Sequence, residues 1–207
     1  MNNINIVHNF FGYDVDYYKD DILYKKMRYD KCNELESIAY YDSNGDMHND
    51  HGPALINFNN HLFASDYRKI ANTYNDKYAE TAIAYYKHGQ LHRDNKPAMI
   101  IFNQNNFTTL EETYFKDGQM YNNNGPVKIK YYSNGSIKSI QYHPTKKNEP
   151  TNIIFNITGN IKFVEYLNDD LETHNDRGPA VIKYNDDGSI LSKKYYLNNL
   201  YVNNIYY

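Results

Sequence analysis

Tryptophan is absent from the sequence and cysteine occurs once, at Cys32. A lone thiol cannot form an internal bridge, so the fold has to hold without disulfides, which fits a reducing compartment. An excess of one charge is missing too: 22 basic and 25 acidic residues leave a net charge of −3. That balance offers no broad positive field to a polyanion, and nucleic acid is not expected as a partner. No apolar run is long enough to cross a bilayer, and the opening "MNNINIVHNFFGYDVDYY" has neither a basic region nor a sustained apolar one. These absences together predict a cytoplasmic protein with no transmembrane segment.

Against them stand 24 tyrosines and 31 asparagines, with isoleucine, lysine and aspartate also frequent. All five types have A/T-rich codons, which points to an AT-rich genome such as that of a large DNA virus, a low-GC bacterium or a protist. Proline is scarce but periodic. Pro53, Pro97, Pro126, Pro150 and Pro179 each open the same short motif: "GPALINF", "KPAMIIF", "GPVKIKY", "EPTNIIF" and "GPAVIKY". The residue after Pro is small or short (Ala54, Ala98, Val127, Thr151, Ala180). Three after Pro stands Ile56, Ile100, Ile129, Ile153 or Ile182, and five after it an aromatic, Phe58, Phe102, Tyr131, Phe155 or Tyr184. Variable positions lie between, so the period is two and the motif predicts a β-strand with Pro at its first residue, where a missing N–H is tolerated.

A second strand follows an Asn/Asp/Gly turn in "NGSIKSIQYH", "TGNIKFVEYL" and "DGSILSKKYY", where Gly135, Gly159 and Gly188 can take the positive φ that a tight hairpin needs. Two short strands cannot bury one apolar face alone; stacked in series, they align isoleucines and rings into ladders. The predicted fold is therefore all-β: an elongated antiparallel meander or solenoid of tandem hairpins whose isoleucines share a dry interior. Helical spacing of Tyr67, Ile70, Ala71, Tyr74 and Tyr78 predicts one short helix inserted near 62–80. Residues 1–37 are expected to form a degenerate capping unit, and 38–207 the repeats proper.

The strings "GDMHNDHGPALI", "GQLHRDNKPAMI", "GQMYNNNGPVKI" and "DLETHNDRGPAVI", with "YYSNGSIKSIQYH", resemble the MORN-variant repeat proteins of large DNA viruses and bacteria. The likeness covers roughly residues 38–205. It implies a repeat scaffold, with viral structural or host-interaction proteins and antitoxin- or immunity-like proteins among the roles, in host cytoplasm or virion if the gene is viral. Standard MORN repeats carry denser glycine and Trp, which this chain lacks; peripheral lipid contact stays among the readings that the resemblance implies.

Candidate chemistry falls five residues before Pro, at His48, His92, Tyr121, Thr145 and His174. Imidazole is the commonest metal ligand, but equivalent residues of successive units lie two strands apart, about 10 Å, whereas ligands sit about 2 Å from a shared zinc. No metal site is predicted from them; they are expected to bond backbone groups in the long turn. Asp50, Asp94 and Asp176, three before Pro, are expected to staple that turn as Asx acceptors. The acidic pairs Asp20/Asp21, Asp169/Asp170 and Asp186/Asp187 read as solvated turns. No phosphate loop, nucleophile elbow or metal spacing occurs, and "YDKCNELE" offers Cys32 no base, so neither an enzyme nor a cofactor is expected. Tyr40, Tyr85, Tyr195 and Tyr201, taken with the histidines, are the expected binding row. One of each couple formed with Tyr41, Tyr86, Phe115 and Tyr196 has to face outward. The expected function is non-enzymatic binding of another protein through the sheet face; the alternative is a lipid- or glycan-binding module using the tyrosines.

Overall fold

In the computed structural model, residues 2–58, 80–103, 106–123, 125–144 and 149–206 are described. All of their regular structure is β; no helix occurs among them. The helix expected near 62–80 lies outside the described residues, apart from Glu80, which begins a strand. The chain divides into two units, 1–109 with 114–119, and 110–113 with 120–207.

The first unit contains β1 (Asn2–Asn9), β2 (Gly12–Lys19), β3 (Ile22–Asp30), β4 (Leu35–Tyr40), β5 (Leu55–Asn57), β6 (Glu80–Ala84) and β9 (Met99–Asn103), hydrogen-bonded in that order. A two-stranded hairpin, β7 (Tyr86–Lys87) with β8 (Gln90–Leu91), stands between β6 and β9. Every pairing is antiparallel. In the second unit β10 (Thr109–Thr113, all but its first residue) is followed by β13 (Lys128–Tyr131), β14 (Ile137–Gln141), β15 (Asn152–Phe155), β16 (Ile161–Glu165), β17 (Val181–Tyr184), β18 (Ile190–Leu197) and β19 (Leu200–Tyr206). A second small hairpin, β11 (Phe115–Lys116) with β12 (Gln119–Met120), follows β10 in sequence and belongs, all but Met120, to the first unit.

The isoleucines are in register. In the first unit Ile6, Val15, Met27, Ile38, Ile56, Ile83 and Ile100 stand directly opposite one another across seven strands. In the second the row is Ile129, Ile140, Ile153, Val164 and Ile182. A one-residue slip anywhere would turn a whole strand over, so the ten pairings in these rows fix the register. The dry interior is a correction, however: Ile56, Ile100, Ile129, Ile153 and Ile182 are all only partly buried. The small residues after Pro (Ala54, Ala98, Val127, Thr151, Ala180) are buried, at 0–3% exposed. Each lies just before its strand, and the backbone N–H groups of Tyr40, Tyr85, Tyr142 and Tyr166 donate to the carbonyls of Ala54, Ala98, Thr151 and Ala180.

The opposite face is the more deeply buried one: Ala39, Ala82, Ala84 and Met99 lie on it, together with polar residues. Asp14 and Asp16 of β2 lie across from Arg28 and Lys26 of β3, and Glu111 and Thr113 of β10 across from Lys130 and Lys128 of β13.

Turns are built twice over. Six four-residue turns begin at Asp30, Asp42, Tyr132, Asn156, Asn168 and Asn185. In each, the first carbonyl accepts the N–H of the fourth residue. The fourth residue always has positive φ, and at Gly45, Gly135, Gly159 and Gly188 it is glycine, for which that conformation costs least. Leu171 holds the same place at φ 62° with its side chain in solvent. An L-residue there costs about 1–2 kcal/mol, so Leu171→Gly is expected to stabilise the protein by about 0.5–1 kcal/mol net of glycine's unfolded-state entropy. Denaturant unfolding checks this; a destabilised variant refutes the strain.

Candidate functional site

The repeat histidines sit at the start of the loop leading to Pro, just after a small hairpin or bridge. In each case the backbone N–H donates to the carbonyl of the tyrosine that ended the preceding strand: His48 to Tyr40, His92 to Tyr85, His174 to Tyr166. Each Nδ1 then accepts a backbone N–H from the next unit's tight turn, from His88 at 3.3 Å, Asp117 at 3.2 Å and Asn198 at 3.2 Å. The following N–H of that turn (Gly89, Gly118, Asn199) donates to the carbonyl just before the histidine, at Met47, Leu91 and Thr173. Both central residues of these turns have positive φ, so their two N–H groups lie outside the hairpin's own ladder and take partners in the neighbouring unit. The expectation that the histidines bond backbone groups holds in kind, but the groups belong to the next repeat's hairpin, and the histidine joins one unit to its successor.

The loop itself is stapled one residue earlier than the sequence suggests. The side chains of Asn49, Arg93, Asn122 and Asn175, four before Pro, donate to the carbonyls of Pro53, Pro97, Pro126 and Pro179 at 2.9–3.3 Å. Asn49 and Asn175 also accept the N–H two residues on. The aspartates expected in that role do something else. Asp50 lies 3.1 Å from His48 Nε2, and Asp94 lies 3.5 Å from His92 Nε2, which makes no hydrogen bond. No bond ties Asp176 to its own turn in the way expected. Where the third repeat replaces His by Tyr121, its hydroxyl donates to Asn123 Oδ1, the equivalent of Asp50. Thr145 lies outside the described residues.

One cluster goes beyond the repeat positions singled out in the sequence. His88 stacks on His48 with ring centroids 4.5 Å apart and planes 11° from parallel, and its Nδ1 lies 2.8 Å from Asp42 Oδ2. The hydrogen bond from His88, with the Asp46 and Asn44 N–H groups, holds the Asp42 carboxyl below the usual carboxylate range. Asp42, His48 and His88 bring one ligand atom each within 4.8 Å of one another, the spacing of a metal site. The second unit repeats the same geometry in other residues: Asn168 Nδ2 donates to Asn198 Oδ1 at 3.1 Å, beside the Asn198 N–H to His174 bond. Two asparagines supply no anionic ligand, so the arrangement belongs to the repeat and not to an ion. Near-parallel rings also aim their in-plane lone pairs alongside each other instead of at one point, and His48 already uses both its nitrogens. The cluster is an inter-repeat staple.

His92 carries a constraint of its own. Its Nδ1 is 2.7 Å from Asp117 Oδ1 and 3.2 Å from the Asp117 N–H. One nitrogen cannot donate to the carboxylate and accept the amide at once, so the ring's proton decides which bond forms.

The tyrosine row also needs correcting. By register Tyr40, Tyr85 and Tyr195 share the face of Ile38, Ile83 and Lys193, and each is partly buried. Arg93 lies over the Tyr85 ring at 3.6 Å and Lys25 over Tyr40 at 5.9 Å. Their neighbours are no more exposed: Phe115 is buried, and burial pushes the Tyr41 and Tyr86 hydroxyls up. Only Tyr201, on β19, is open to solvent. A strand that alternates faces does put the two members of each couple apart, but the second member starts the small hairpin and finds cover there: Tyr86 opposite Leu91, Tyr41 bridged to Met47.

The described residues contain no helix long and apolar enough to cross a membrane. No protein-family model matches the chain, and neither does any curated protein or solved structure.

Proposed function

We propose that the chain is a non-enzymatic repeat scaffold that binds another protein through the isoleucine-bearing face of its sheet. One observation carries this reading: the ladder that makes the repeats is half open to water. In the second unit Ile137 and Ile161, paired with Tyr131 and Phe155 on that face, are 39% and 38% exposed. Scattered single apolar residues on a surface mean little, but isoleucines locked in register on one face, with exposed members in two successive repeats, make the kind of surface that marks a contact site. Its aromatic and β-branched make-up suits a protein partner, where rings and aliphatic anchors supply most of the affinity.

The test is the pair Ile137→Lys and Ile161→Lys. Wild-type protein used as bait in its native source recovers a partner in stoichiometric amount, and the double variant, with an unchanged circular dichroism spectrum, recovers none. Equal recovery by both, or binding to anionic vesicles or glycan arrays in place of any protein, overturns the reading.

A further inference from the structure

The first strand is unusual among edge strands. β1 runs for 8 residues, pairs with β2 through Asn2–Asn9 without a single register shift, and is exposed along its whole length. Its outer edge has no strand beside it among the described residues, and Ile4 and Ile6 are 65% and 56% exposed. Sheet proteins ordinarily blunt such an edge with lysine, proline, a bulge or a very short strand. Here "NNINIVHN" has none of these and no acidic or basic side chain other than His8. The neighbouring pairings β2–β3 and β3–β4 are each interrupted by an irregularity; this one is left straight.

We infer that β1 is a homodimerisation edge, pairing antiparallel with β1 of a second copy of this chain. The strand's own sequence favours that occupant. Centred on Asn5, an antiparallel pairing sets Ile4 opposite the second copy's Ile6 and Ile6 opposite its Ile4 on one face. The two Asn5 side chains meet on the other, where amide can bond amide. No fixed charges of like sign oppose each other, and opposed residues share a face, so the Ile6–Val15–Met27 row runs on into the second copy's Ile4 and Tyr17. A twofold pairing of this kind closes at two copies. The other edge strand among the described residues, β19 with exposed Leu200, Tyr201 and Val202, offers a heterologous contact with β1, which makes rings or open filaments and not a twofold pair.

Sedimentation velocity and light scattering on the full chain over a dilution series test the inference. A monomer–dimer equilibrium is expected, with Ile6→Lys raising the dissociation constant about a hundredfold by setting unpaired charge into the contact, and Val202→Lys leaving it unchanged. A cross-link reads the register without relying on a destabilising change. In a Cys32→Ser background, Asn5→Cys joins two chains through a short bismaleimide and Val202→Cys does not. A monomer at every concentration, open-ended polymers, or a dimer that dissociates with Val202→Lys and not with Ile6→Lys overturns it.

Discussion

Glu111→Ala is expected to be the most damaging single substitution away from the ladder, costing about 3–5 kcal/mol. Glu111 and Lys128 are both buried on the polar face of the second unit, with Lys128 Nζ 3.1 Å from Glu111 Oε1. Lys130 Nζ lies 3.5 Å from the other carboxylate oxygen, and the hydroxyl of Thr113, fully buried, donates to Oε1 at 3.1 Å. Removing the carboxylate strands a buried ammonium and a buried hydroxyl together, and the cost comes from the unpaired charge more than from the lost attraction. The double change Glu111→Leu with Lys128→Leu is therefore expected to recover most of the loss, because it removes the stranded ammonium and leaves only the Thr113 hydroxyl without its acceptor. Urea unfolding of the single and double variants separates the two. If the double variant is as unstable as the single, the pair itself holds the strands together and the desolvation account fails.

The sequence carries the signal for that pair at the positions between the recurring ones, and the same holds along the rest of that face. Period-two reading of "PALINF" and its counterparts draws attention to the residues that recur, isoleucine and the aromatic, and treats those between as wet. Yet Glu111-x-Thr113 and Lys128-x-Lys130 obey the same period and meet in register. Asp14-x-Asp16 and Lys26-x-Arg28 do so on either side of the Asp20–Asp21 turn, in a stretch that reads only as a degenerate cap. Opposite charges at period two on successive strands are the signal that would have found both.

The ladder register and the glycine turns were readable because they are local: a β-branched residue every second position and a positive-φ residue at a fixed offset need no knowledge of neighbours. The histidine contacts were not. His48, His92 and His174 bond amides 24 to 40 residues away. Those partners become visible only once the units are known to stack with each tight turn beside the previous loop. Sequence spacing likewise cannot separate Asn49 from Asp50 as the loop staple, since either could begin the turn; the difference is one residue of phase. The exposure of the isoleucines follows from layer count. A strand reads as having a buried face whether that face is sealed by a second layer or only flanked by its neighbours' side chains, and the alternation in the sequence is the same in both cases.

The acid limb of the stability curve is expected to run through Asp14. The hydrogen bond from Arg28 Nε at 2.8 Å, more than the charges of Arg28 and Lys26, holds the Asp14 carboxyl below the usual range against the upward push of burial. A carboxyl whose folded pKa is depressed contributes stability that is present above its unfolded value of about 3.9 and is lost as pH falls through the folded one. Lys26, 3.3 Å from Asp16 and 3.6 Å from Asp14, is raised by those two carboxylates although burial opposes it. Its contribution is present below about 10.4 and disappears as pH rises through the folded value. The two limbs assign different residues to the two ends of one pH profile. Asp14→Asn should lower stability at neutral pH and converge on wild type as the solution is acidified past the folded pKa. Lys26→Ala should cost about 2 kcal/mol at neutral pH, between a fully buried pair and an exposed one because 29% of its side chain stays in water, and converge at the alkaline end. Arg28, with 40% of its side chain exposed, contributes less than its geometry suggests and more in low salt. Chemical unfolding of both variants across pH checks the assignment; an Asp14→Asn gap that persists undiminished in acid would mean the carboxylate matters for packing and not for its charge.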